Sequence, residues 1–82
     1  MGSVHVINSV KIYLYSRDHN PPHIHAIFAE NEALLVILSG EVIRGYLPKT
    51  QLKEVSEWLD DEEVKKTLLE MFHKLNPNTR RG

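Results

Sequence analysis

The residues Asp18-His19-Asn20-Pro21-Pro22-His23-Ile24-His25 concentrate the chemistry of this chain. Three of its five histidines fall here, around a rigid Pro-Pro pair. Imidazole changes charge near neutral pH, and its neutral form offers a lone pair to a metal or takes a proton in general-base catalysis. His23 and His25 stand two apart, so on an extended segment both side chains leave by one face. His19 lies across the proline turn, which can fold it back over that face. His19, His23 and His25 would together suffice for zinc or another borderline divalent ion, with Asp18 as ligand or orienting partner. A phosphate or other polar ligand is the second reading. The third is structural: Asp18 and Asn20 close the turn through side-chain hydrogen bonds, and the histidines merely occupy an outer sheet face. No metal is required on the second and third readings, and no other cofactor is implied.

A second row supports a binding face. Lys11, Tyr13, Tyr15 and Arg17 alternate with Val10, Ile12 and Leu14. If this segment pairs with the histidine segment as a hairpin, apolar faces together, the polar row lies beside His23 and His25. Tyrosines stack or donate, cations neutralise phosphate and imidazoles exchange protons, which suits an RNA strand. Tyr and Arg are equally at home in a protein interface. In an enzymatic version His23 and His25, with His19, act as general base and acid in a small RNA phosphodiesterase. Lys11 or Arg17 then stabilises the transition-state charge. Glu30 and Glu32 flank a turn and read as solvated charges. The acidic run 60–63 reads as a helix start, because a calcium loop needs alternating oxygen ligands and a glycine. Phosphate-loop, nucleophile-elbow and dinucleotide fingerprints are absent, which sets aside ATP hydrolysis and serine-esterase chemistry.

Period two governs the first half of the chain. Val10–Ser16 and His23–Phe28 alternate as half-buried strands, separated by the breaker 17–22. Ala33–Leu38 is apolar on both faces and reads as a central strand, and Val42–Tyr46 is a short fourth. After Leu47 the period becomes helical. Pro48 suits a first helical position, with Leu52, Val55, Trp58 and Leu59 on one side. Asp60 with Glu63 resembles a capping box, and Val64, Leu68, Met71, Phe72 and Leu75 form the stripe of a second helix. Asn76-Pro77-Asn78 stops it. The fold class expected is α+β: a four-stranded antiparallel sheet followed by two helices packed on one face. It forms a single domain over residues 1–76 with a tail over 77–82. The core expected contains Ile12, Leu14, Ile24, Phe28, Val36, Leu52, Val55, Trp58, Leu68 and Phe72.

The chain has 82 residues, a formal net charge of −1 and no cysteine, so disulfides, thiolate zinc sites and cysteine nucleophiles are excluded. No apolar run approaches the roughly 18 residues of a membrane helix and no signal peptide opens the chain, so a cytoplasmic protein without membrane contact is expected. A core this thin, with a free strand edge, favours a homodimer. Charge is uneven. Glu54, Glu57, Asp60, Asp61, Glu62, Glu63 and Glu70 outnumber Lys65 and Lys66 in residues 54–70, a net of −5, whereas residues 1–28 hold a net of +1 and four histidines. Anions are steered toward the first half.

Ile12-Tyr13-Leu14-Tyr15, followed by Asp18-His19-Asn20-Pro21-Pro22-His23-Ile24-His25-Ala26, resembles the hallmark of a small bacterial family catalogued as domain of unknown function 4160. The similarity continues through Glu32-Ala33, Glu41-Val42, Gly45, Leu47-Pro48 and Glu57-Trp58, from about Val4 to about Asn76. Members often sit beside a second small protein in gene pairs that look like toxin–antitoxin modules. The resemblance therefore implies a bacterial cytoplasmic protein with a small partner protein encoded nearby, and implies no activity. The family commonly carries a tryptophan where Phe72 stands. On this basis the expected function is the interaction component of a two-gene module; the alternatives are the RNA phosphodiesterase and a divalent-metal-binding protein.

Overall fold

The computed structural model describes residues 3–15 and 21–76, the side chains of residues 3 and 4 excepted. Five strands precede two helices: β1 (Ser3–Ile7), β2 (Val10–Tyr13), β3 (His23–Phe28), β4 (Asn31–Val36), β5 (Val42–Gly45), α1 (Lys49–Leu59) and α2 (Glu62–Leu75). The strands form one antiparallel meander in chain order. The α+β class and the antiparallel sheet are as the periodicity indicated, but the sheet has five strands where four were expected. The extra strand is β1, whose pattern is reversed at His5 and Val6, while Ile7, opposite Val10, packs against the core. His5 stands opposite Ile12 on the core side, while Val6, opposite Lys11, points outward and is 53% exposed.

Register decides which half of each strand is core. Val10, Ile12 and Leu14 join Ile24, Ala26, Ala33, Leu35 and Ile37, and Val55 and Leu59 of α1 and Leu68 and Phe72 of α2 share that cluster. Phe28, Leu52 and Trp58 pack at its margin. Val36, expected in the core, is only half-buried and pairs with His23 on the opposite face. A strand apolar on both faces carries no mark of which face meets the core, so pairing with β3 settles it.

The β3–β4 hairpin turns through Ala29 and Glu30, with Ala29 at φ 54°. That left-handed conformation crowds the alanine Cβ against the next carbonyl. Ala29→Gly is therefore expected to stabilise the fold by about 0.5–1 kcal/mol, the relieved strain exceeding the added chain entropy. Urea unfolding checks this, and an unchanged or lowered midpoint would refute strain at the turn.

Pro48 takes the cap position of α1 (φ −57°, ψ 151°) and not the first helical turn. At α2 the cap lies one residue later than the spacing indicated: Asp61, not Asp60, accepts the Glu63 backbone N–H at 2.8 Å. The Lys65 ammonium donates to the Leu59 carbonyl at the end of α1, satisfying an otherwise open acceptor. At the far end of α2, Asn76 is buried. Its side-chain amide donates to the Tyr15 carbonyl at 3.0 Å and the Phe72 carbonyl at 3.1 Å, tying the helix end to the chain beyond β2. No helix among the described residues is long and apolar enough to cross a membrane.

Candidate functional site: the outer sheet face

Opposite the core, pairing lines up side chains in rows that run across strands. Tyr13, His25, Leu34 and Arg44 form one row through β2–β5, and Val6, Lys11, Ile27 and Glu32 form the next through β1–β4. Directly paired residues in an antiparallel ladder share a face, so both rows follow from register alone. Lys11, Glu32 and Arg44 are exposed, whereas Tyr13, His25, Ile27 and Leu34 are half-buried.

The aromatic groups touch. Tyr13 and Tyr15 stack with ring centroids 5.9 Å apart, and the Tyr15 ring meets His25 edge-on at 4.5 Å. His23 lies 5.1 Å from His25, ring to ring. The expected neighbourhood of Tyr13, Tyr15, Lys11, His23 and His25 is thus assembled by β2 and β3. Arg17, His19, Asp18 and Asn20 lie outside the described residues, and with them the three-histidine metal set. Among the described residues no group of three or more histidine or carboxylate side chains is arranged to hold a metal ion.

The two described histidines of the motif differ in environment. His23 is 1% exposed, its Nδ1–H donates to the Pro21 carbonyl at 2.8 Å, and its ring packs 5.8 Å from Phe72. A carbonyl only accepts, so that bond places the proton on Nδ1. Pro22 is tied as well, its carbonyl accepting from the Ile37 N–H at 3.0 Å. Both proline carbonyls are therefore anchored to the sheet. His23 and His25 leave one strand face but do not share one solvent-reached surface as expected: His23 is buried against the end of α2, while His25 keeps partial access. Phe72 is also fully buried, so in this chain its ring belongs to the core.

His25 has a partner that sequence reasoning assigned to solvent. Its Nδ1 lies 2.9 Å from Glu32 Oε2. Donation from Nδ1–H to the carboxylate would orient the ring and leave Nε2 as the basic nitrogen. Glu32 stands opposite Ile27, one diagonal step from His25 on the same face. The signal was the two-residue turn, since Phe28 opposite Asn31 fixes Glu32 to that diagonal.

Fold and site together define a small α+β domain with a five-stranded meander whose outer face carries stacked tyrosines and a histidine–glutamate pair. Residues 10–73, most of the chain, match the family model described as a domain of unknown function (DUF4160), and the chain belongs to that family. No curated protein and no solved structure matches it.

Proposed function

We propose that this protein is the interaction component of a two-gene, toxin–antitoxin-like module, and that the outer sheet face docks the small partner protein. The observation that carries this reading is the Tyr13–His25–Leu34–Arg44 row. It sets aromatic, aliphatic and cationic groups side by side on a face turned away from the core. Half-buried Ile27, Leu34 and Val36 widen its apolar centre and exposed Lys11 and Arg44 rim it, as in protein interfaces with an apolar middle and a polar edge. Co-expression with any small protein whose gene adjoins its own, followed by titration calorimetry, tests the reading. Wild type should form a stoichiometric complex, and Leu34→Arg should weaken it at least tenfold with the circular dichroism spectrum unchanged. Equal affinity of wild type and Leu34→Arg would reject this face as the docking site.

The His25–Glu32 pair favours a second reading, the RNA phosphodiesterase, with His25 as general base and Lys11 or Arg44 near the phosphate. His23 has no place in that chemistry while buried. Cleavage of RNA by wild type, with a loss of about 100-fold or more in His25→Ala and a smaller loss in Glu32→Gln, would support it. An absence of cleavage by freshly purified wild type, with and without divalent ions, would dismiss it.

A further inference from the structure

A different surface, at the edge of β1, is built to receive another strand. Among the described residues β1 pairs with β2 alone, leaving its far side as an open edge. Its neighbours Ile7 and Val10 flank the two-residue turn Asn8-Ser9, and the pair flanking such a turn exchanges its hydrogen bonds. Alternation then turns the N–H and C=O of Val6 away from β2. The opposite edge is blunted, because β5 is four residues long, carries an irregularity in its register with β4, and bends at Gly45 with φ 80°. Natural sheets protect edges by such devices; β1 (Ser3–Ile7) has one register irregularity, between Ser3 and His5, but no lysine, arginine, carboxylate or proline, and from His5 to Ile7 its register is regular.

Beside β1, on the helical side, lies an open groove of about 270 Å³ bordered by His5, Trp58, Val64, Leu68 and Met71, with Glu63 on its wall. The His5 and Trp58 rings, both on its lining, stack at 5.1 Å, only 4° from parallel. A strand added to β1 would send alternate side chains toward this groove while its backbone paired with Val6.

Charge selects the occupant. Glu57, Asp60, Asp61, Glu62 and Glu63 are all exposed around the α1–α2 junction. Lys65, the nearest cation in sequence, is held by the Leu59 carbonyl. A second copy pairing through β1 would bring two such acidic regions together, whereas a basic strand would neutralise one. We infer that the β1 edge and its groove form a strand-addition site for a partner segment whose groove-facing positions, every second residue, carry both aliphatic side chains and lysine or arginine. This site is separate from the outer sheet face and does not rest on that reading.

Trp58 is the only tryptophan of the chain and borders the groove, so its emission reports occupancy. The probe is a synthetic octapeptide with valine and lysine taking turns along one face and threonine at every residue between, compared with its counterpart carrying glutamate for lysine. The lysine peptide should shift Trp58 emission saturably and bind at least tenfold more tightly than the glutamate peptide. Glu63→Lys should reduce that preference. Val6→Pro removes the outward N–H and should abolish binding. Thr67→Arg, at an exposed position on the groove, should do the same without touching the strand. Leu34→Arg, on the outer face, should leave peptide binding intact. The inference is overturned if the two peptides bind alike, if the lysine peptide does not bind, or if Thr67→Arg binds it as well as wild type. It is also overturned if light scattering shows a dimer that Val6→Pro dissociates, because the edge then belongs to a second copy.

Discussion

Phe72→Ala is expected to remove most of the stability of this domain. The ring is fully buried, joins the core cluster with Leu14, Ile24 and Leu68, and packs against His23. Truncating a buried phenylalanine costs about 3–5 kcal/mol through lost transfer energy and the cavity left behind. A chain of this length has on the order of 4–12 kcal/mol in total. The melting temperature should fall by roughly 15–30 °C. The effect should reach the site, because Phe72 supports the ring that anchors Pro21. Amide exchange should therefore accelerate in β3 as well as in α2. Protection of β3 unchanged from wild type would show that the His23–Phe72 packing does not couple the helix to the proline turn. By contrast His25→Ala, at a position that keeps partial solvent access outside the core cluster, should cost well under half as much.

Gly45→Ala is expected to be comparably severe although it adds one methyl group. Gly45 sits at φ 80°, and a Cβ there would be driven into the carbonyl oxygen of Glu32. That oxygen also accepts the Tyr46 N–H at 3.0 Å, so it cannot retreat without breaking the last link between β4 and β5. The left-handed backbone alone costs an alanine about 1–2 kcal/mol, and forced separation of the strands adds strain of about 1–3 kcal/mol. A loss on the order of 3 kcal/mol in urea unfolding is the expected result. A loss below about 1 kcal/mol would mean that β5 shifts freely. Because Glu32 holds His25 from the same stretch of β4, any displacement there should also be visible in the His25 ring resonances.

How much of this could be read before the structure depends on the range of the interaction involved. The change from period two to period 3.6 after Leu47 is local, and it marks four of the strands and both helices, with α2 ending before Asn76, although β4 runs over Asn31–Val36 where Ala33–Leu38 was expected. The apolar rows Val10-Ile12-Leu14 and Ile24-Ala26 are local too, since alternation in a strand admits only two faces. β1 escaped because its outward residue Val6 is apolar and its inward residue His5 is polar, the reverse of the rule that identifies strands. Val36 was misplaced for a related reason: in a run such as Ala33-Leu34-Leu35-Val36 composition is blind to direction.

The same division runs through the site. That His23 and His25 leave one strand face, with the row of Lys11, Tyr13 and Tyr15 beside them, followed from spacing and one hairpin; that Tyr13 stands opposite His25 came from the register. That they meet different fates did not. His23 is buried because the end of α2 brings Phe72 against it, and His25 gains Glu32 because the Ala29-Glu30 turn sets the register of β4. Residue types and their period by themselves determined the α+β class, the strand-to-helix order and the chemistry gathered around Pro21-Pro22. Tertiary structure alone decided which histidine is core and which has a carboxylate, which face of β4 is buried and which strands lie at the edges of the described sheet. Alternation is a property of neighbouring residues, whereas burial, register and pairing belong to segments that meet only when the chain is folded.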